Sequence, residues 1–235
     1  MKPQDVTLCV PYFGGKDDHH LSCIDAARAL GFRFRQIVGH PYIDQARCLL
    51  AELALSDSTT VVLFIDHDII FNPVDLLPLA EAAVQHQAVV SGLYLTRKKG
   101  GSPVVTLKPP VPAELICYEG GGLYPCLTLP GGFTAIPSSI LENMNVPSAF
   151  LGDGKTQVRL WFFNDPFTIE PGKMFWGGED FRFSQRVIEA GFPLFVDTRP
   201  RLIHRGMHNF GLEDGEVLLP GKTLKVQIQV QNQKI

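Results

Sequence analysis

Val6-Thr7-Leu8-Cys9-Val10 is a short apolar run stopped by Pro11, the pattern of a buried strand. A helical pattern follows from Leu21 through Ile24, Ala27 and Leu30, and Gly31 stands where a helix C-terminus takes a left-handed residue. Phe32 to Val38 reads as a second strand. Ile43, Ala46, Leu50 and Leu53 recur with helical spacing, which predicts a helix over 43–55. Thr60 to Ile65 is apolar on both faces, as a central strand covered by helices must be. Asn72-Pro73 then supplies a cap and a first helical position for a helix reaching His86, and Ala88 to Gly92 is the next short strand. Strands and helices alternating at this spacing predict an α/β protein with parallel pairing.

The second half is less regular. Residues 100–130 are rich in Gly and Pro and predict loops with an edge hairpin, with Gly120-Gly121-Gly122 as a flexible turn. Strands are expected at Gly132–Ile136 and Val158–Phe163, with a short helix opening at Pro137-Ser138. A turn-rich loop leads to Gly177-Gly178, and a helix runs from Glu179 to Ala190, ending at Gly191. Strands follow near Leu194–Val196 and Arg201–Ile203, and Leu224 to Val230 alternates apolar and polar, predicting a last half-exposed strand.

The 235 residues allow one large domain or two small ones, and no repeat or linker divides them. The expectation is one domain over 1–211, with 212–235 a β extension packed on the core or on a partner chain. Lys and Arg number 21 against 24 Asp and Glu, so no basic excess marks a dedicated nucleic-acid or membrane-surface binder. With 45% hydrophobic residues the chain is no disordered segment, and no apolar run approaches the roughly 18 residues of a spanning helix. The start leads straight into a strand, so no signal peptide is expected. The five cysteines (Cys9, Cys23, Cys48, Cys117, Cys126) are odd in number, scattered and free of CxxC pairs, which suits reduced thiols in a cytoplasmic protein.

Three places carry candidate chemistry. Asp66-His67-Asp68 ends the central strand, and a period of two would project both carboxylates to one side and His67 away. Ligands of open α/β sheets bind beyond the strands' carboxyl ends. The pair is either two solvated loop acids or a metal site, and its position favours the metal. Phe175-Trp176-Gly177-Gly178-Glu179-Asp180 precedes a helix, where the acids either cap the helix or supply a general base, with the glycines letting a ligand approach. His204 follows a strand and is either structural or a third ligand. Carboxylate with imidazole suits Mn²⁺ better than Mg²⁺. Asp17-Asp18-His19-His20 is explained more cheaply as a polar loop and helix start than as a metal site. Motifs for a P-loop, GxGxxG, GxSxG or HExxH are absent.

Together these pieces resemble GT-A-type glycosyltransferases of the family 2-like group. Asp66 and Asp68 stand as their DxD, and Arg47 in Asp44-Gln45-Ala46-Arg47 stands where relatives often show Arg-Asn, here with Cys48 in place of the Asn. Residues 90–98 are similar to their next strand and its tyrosine-to-basic turn, and Gly131 to Ile136 to the strand behind the sugar pocket. Trp176-Gly177-Gly178-Glu179-Asp180 is similar to the acceptor-side motif of inverting β-1,4-galactosyltransferases. The resemblance spans roughly Val6 to Gly206 and implies a Rossmann-like, mixed, mostly parallel sheet with helices on both faces.

It also implies a reaction. A nucleotide-diphosphate sugar, UDP-sugar favoured, would bridge to the chain through Mn²⁺ (or Mg²⁺) held by Asp68 and His204, with Asp66 on the metal or the ribose. Pro11, Tyr12 and Phe13 would hold base and ribose, with Arg47, His67, Arg97 and Lys98 on the donor side; a solvated basic turn explains the last two equally well. Asp180 would deprotonate the acceptor hydroxyl, giving inversion, with Glu179 orienting the acceptor or sugar. Trp176 would stack on a sugar, and Gly131, Gly132, Gly177 and Gly178 would line that side. The acceptor is a glycan, a small molecule or a modified nucleic-acid base, the last with Arg97-Lys98-Lys99, Arg199, Arg201 and Arg205 facing phosphate. Retention on the same scaffold stays open, as do a non-catalytic carbohydrate binder and a sugar-1-phosphate nucleotidyltransferase, though the basic glycine-rich loop that the last expects is missing. A homo-oligomer through the C-terminal strand is a further expectation.

Overall fold

A computed structural model describes residues 1–14, 18–97, 101–206, 209–210 and 223–227. The first half follows the alternating pattern closely: β1 (Val6–Tyr12), α1 (Asp18–Ala29), β2 (Arg33–Val38), α2 (Ile43–Ser56), β3 (Val61–Ile65), β4 (Ile69–Ile70), α3 (Leu76–His86) and β5 (Val89–Gly92). Gly31 takes φ +96° after α1, as a helix end requires. Asn72 Oδ1 accepts the Val74 amide at 3.3 Å, and Pro73 opens a 3-10 turn that leads into α3. The second half supplies β6 (Thr106–Leu107), β7 (Glu114–Tyr118), β8 (Leu123–Thr128), β9 (Phe133–Pro137), α4 (Ser138–Asn143), β10 (Ser148–Phe150), β11 (Gln157–Arg159), β12 (Phe167–Glu170), β13 (Lys173–Phe175), α5 (Glu179–Glu189), β14 (Leu194–Asp197), β15 (Ile203–Arg205), β16 (Asn209–Phe210) and β17 (Thr223–Gln227).

Eight strands form the central sheet in the order β2-β1-β3-β9-β5-β14-β8-β6, with β9 and β8 running against the other six. This is the α/β, mixed and mostly parallel architecture expected from the sequence. β3 shows why its run is apolar throughout. Val61, Leu63 and Ile65 pack with Ile24 of α1 and Leu76, Leu79 and Ala83 of α3, while Val62 and Phe64 face Leu50 and Ala54 of α2 and Phe183 and Val187 of α5. Among the described residues no helix is long and apolar enough to cross a membrane. All five cysteines are free thiols, four of them buried.

Two expectations are corrected and one is refined. Within 101–130 the antiparallel pair at the sheet edge is β6 with β8, with β7 between them in sequence, and β8 also pairs with Leu194–Asp197 of β14, which no local pattern reveals. The strand expected at Val158–Phe163 stops at Arg159, and Trp161 and Phe162 are apolar because they fill the core beneath α2 and α5. Phe162 stacks on Phe183 at 4.3 Å between centroids, and Trp161 Nε1 donates to the Leu141 carbonyl at 2.9 Å. The loop before α5 contains the β12–β13 hairpin. At the C-terminus Thr223–Gln227 pairs antiparallel with Glu114–Tyr118 of the same chain, while the rest of the expected strand, 228–230, lies outside the described residues.

Candidate active site

β3 ends at Ile65, and Asp66 to Ile69 is a tight turn closed by the Ile69 amide on the Asp66 carbonyl at 3.0 Å. The period-two alternation therefore stops before the acids, and the two carboxylates take different partners. Because β9 runs antiparallel to β3, its beginning lies at the end of β3, so the Asp66 amide donates to the Gly132 carbonyl at 2.8 Å. Tyr94, two residues beyond β5, receives the Gly132 amide on its hydroxyl at 2.9 Å. A Cβ on Gly132 would meet that hydroxyl at 2.5 Å and Asp66 Oδ2 at 2.9 Å, and one on Gly131 would meet the Arg47 guanidinium at 2.9 Å. Both glycines are there for close approach.

Arg47 rises from the second turn of α2 into this corner and is 2% exposed. It donates to Asp66 Oδ1 at 2.8 Å, to the Gly131 carbonyl at 2.9 Å and to Glu179 Oε1 at 3.4 Å. Burial alone would lower its pKa, but the Asp66 and Glu179 carboxylates together raise it. One cation thus ties the end of β3 to the start of α5.

Glu179 and Asp180 form the first turn of α5, with Gly178 as its cap residue. Burial first, and the neighbouring Glu179 carboxylate second, push Asp180 up to about 6, against the pull of the Phe181 amide and of Arg47. A carboxylate tuned towards neutrality can take a proton at physiological pH, which simple capping does not require. Trp176 is 72% exposed beside it. A Cβ on Gly177 would meet the Phe175 ring at 2.6 Å, so the turn into α5 is packed against that ring.

Asp68 and His204 come together because β4 and β15 pair antiparallel, and the Arg205 amide donates to the Asp68 carbonyl at 2.7 Å. His204 Nε2 lies 3.5 Å from Asp68 Oδ2, which also accepts from Arg97 at 2.8 Å. Burial would raise the Asp68 pKa, but the His204 hydrogen bond and the charges of His204 and Arg97 bring it below its ordinary value. His204 Nδ1 lies 2.7 Å from the Leu95 carbonyl, which can only accept, so Nδ1 carries a proton and Nε2 is the nitrogen turned to Asp68. That donor pair fits a divalent cation. Asp66, the third expected ligand, is instead engaged by Arg47, and among the described residues no group of three or more His, Cys, Asp or Glu stands ready for a metal.

On the other side of the turn, the ends of β1 and β2 enclose a cavity of about 180 Å³ lined by Pro11, Tyr12, Phe13, Ile37, His40, Pro41, Ile43 and Ala46. The His67 ring packs edge-on to Tyr12 at 5.3 Å. Ile37, His40 and Pro41 were not anticipated, and Tyr94 only as part of the turn after β5; the parallel register of Pro11 with Ile37 and Tyr12 with Val38 is the signal that would have found the first three. Lys98 lies outside the described residues.

No protein-family model matches the sequence, and no curated protein matches it. Among solved structures the chain is similar to A197 from STIV, at 17% identity and a TM-score of 0.59, covering 97% of this chain and 95% of that one. It is also similar to GalNAc-T7 crystallised with UDP, GalNAc and Mn²⁺, at 12% identity and a TM-score of 0.46, covering 84% of this chain and 43% of that one. S. aureus TarS 1-349 gives 14% identity and a TM-score of 0.46, with 84% and 58% covered. The A197 likeness is one of fold alone.

Proposed function

We propose that the chain is a GT-A-type glycosyltransferase that moves a sugar from a nucleotide-diphosphate sugar, UDP-sugar first, to an acceptor hydroxyl with inversion. The observation that carries this is the arrangement at the strand ends: Glu179 and Asp180 open α5 and are tied through Arg47 to Asp66, two residues before Asp68 and its partner His204, and burial raises the Asp180 carboxyl to about 6. Asp180 accepts the acceptor proton as the hydroxyl oxygen bonds to the anomeric carbon and the bond from that carbon to the diphosphate oxygen breaks. Glu179, fixed by Arg47, orients the incoming hydroxyl, and exposed Trp176 offers a face for a sugar. The cavity at the ends of β1 and β2 takes the base and ribose. Asp68 Oδ2 and His204 Nε2 would hold Mn²⁺, which when bound offsets the charge that builds on the departing diphosphate. Residues 1–211 are the catalytic unit in this reading, with 212–235 an addition to it.

The test is Asp180→Asn. Transfer should fall by about 10²–10⁴-fold while nucleotide diphosphate still binds. Full transfer by the variant overturns the assignment, and NMR of the product's anomeric proton checks the inversion. Nucleotide release without any glycosylated product, or sugar binding without nucleotide release, overturns the reading itself.

A further inference from the structure

A larger cleft, of about 510 Å³, lies away from this site and is lined by Asn72, Asp75, Tyr118, Glu119, Arg199 and Arg201 over a floor of Ile70, Phe71 and Ile203. It falls within the size range of small-molecule sites, about 300–1,000 Å³. In the β4–β15 ribbon, Ile70 pairs with Ile203 and Ile69 with His204. Cross-strand partners share a face and successive pairs alternate, so the cleft and the Asp68–His204 pair occupy opposite faces of one ribbon.

Tyr118 forms part of its wall in a conformation that a non-glycine residue adopts at a cost, with φ +62°. What holds it there is the glycine triplet. The Tyr118 amide donates to the Thr198 carbonyl at 2.8 Å, the Gly121 amide to the Tyr118 carbonyl at 3.0 Å and the Gly122 amide to Thr198 Oγ1 at 3.0 Å. A Cβ on Gly121 would meet Thr198 Oγ1 at 2.8 Å and the Tyr118 carbonyl at 3.0 Å. The triplet expected to be a flexible turn is therefore a bracket for an aromatic ring. The Arg201 guanidinium is stacked over that ring, 4.5 Å from its centre, so the ring holds the guanidinium in place.

The charges select the ligand. Arg199 is engaged by both oxygens of Asp197, at 2.8 and 2.7 Å, so its fork is committed within the chain. Asp75 and Glu119 then face Arg201 alone and repel phosphate, which argues against the nucleic-acid role expected for Arg199 and Arg201. Burial, and then Asp197, also push the Asp75 carboxyl above its ordinary value. A guanidinium stacked on an aromatic ring and edged by an amide and two carboxyl groups excludes anions and suits a ligand with apolar ring faces and many hydroxyls.

We propose that this cleft is a second saccharide-binding site for an uncharged oligosaccharide, with Tyr118 and Arg201 as its platform and Asn72, Asp75 and Glu119 as hydroxyl partners. The site stands apart from the transfer chemistry and does not rest on it. Maltotriose, cellotriose and chitotriose are titrated against the full chain by saturation-transfer NMR and calorimetry, with a sulfated oligosaccharide and single-stranded DNA as charged arms. At least one neutral trisaccharide should bind, roughly tenfold more weakly in Tyr118→Ala and in Arg201→Ala, and equally well in Asp180→Asn. If Tyr118→Ala does not fold, exposed Arg201 carries the comparison. The proposal is overturned if no neutral trisaccharide binds, if binding survives unchanged in a folded cleft variant, if it is lost in Trp176→Ala instead, or if only the charged arms bind and salt abolishes it.

Discussion

Two groups of charge flank the turn after β3, and they are built in opposite ways. Around Arg47 every contact is internal: a guanidinium almost wholly buried donates to Asp66, to Glu179 and to the Gly131 carbonyl. Around Asp68 the partners are His204 at 3.5 Å and Arg97, whose side chain is 55% exposed. The first group is complete as it stands and fixes the distance from β3 to α5. The second has an imidazole nitrogen and a carboxylate directed at one place, with a half-exposed surface cation as the carboxylate's further partner. A transfer site needs both, a rigid frame for the base and an open side for the donor.

Removing the frame should have the largest effect. Arg47→Met keeps length and apolar contact with Phe64 but strands two carboxylates, which for a buried pair costs about 3–5 kcal/mol. Asp66 and Glu179 keep 28% and 19% of their side-chain exposure, so the low end of that range is expected in urea unfolding. A loss under about 1 kcal/mol would mean that the frame is not bound together as described.

Asp180 gives the next effect, with the opposite sign. Its carboxyl is raised from 3.8 to about 6, so the folded chain holds a proton that the unfolded chain releases earlier. Stability on this account falls as pH rises from about 4 to 6 and stays reduced above, by at most about 3 kcal/mol. Asp180→Asn should therefore be more stable than the parent at pH 7.5 and lose that advantage by pH 4, while losing transfer. Equal melting temperatures at both pH values would remove burial as the source of the raised pKa.

On the open side the expected loss is in metal binding. His204→Ala should weaken Mn²⁺ binding by about 10–100-fold in calorimetry with nucleotide diphosphate present, with little change in melting temperature in its absence. Unchanged Mn²⁺ affinity would make His204 a structural residue, tied to Leu95 alone.

The same contrast explains what could be read from the chain. α2, β3 and α5 were legible because the spacing of their apolar residues is local, and the candidate acids sit just after β3, at Asp66, and at the start of α5, at Glu179-Asp180. The order β9-β5-β14-β8 was not, since Leu123 meets Asp197 and Phe133 meets Ile65 only through long-range pairing. Arg47 shows the same limit. Sequence placed it near a donor, but a helical arginine gives no local sign of being 2% exposed with two carboxylates on it. The Gly120–Gly122 bracket was misread because its partner, Thr198, is 76 residues away.

Arg97 gives the smallest effect on stability and the sharpest test of how the open side works. Its contact with Asp68 is half in solvent, so Arg97→Ala should change unfolding free energy by only about 0–1 kcal/mol. Its guanidinium nevertheless occupies Asp68 Oδ2, the oxygen nearest His204 Nε2, at 2.8 Å. A cation entering between them must displace it. Mn²⁺ alone should then bind more tightly to Arg97→Ala than to the parent, because a competing positive charge has gone. Nucleotide diphosphate should bind more weakly, because an arginine displaced from Asp68 would be available to pair with its phosphates. Opposite changes for metal and nucleotide identify Arg97 as a stand-in that transfers to the donor. A parallel fall in both would make it a fixed part of the site, no different in kind from Arg47.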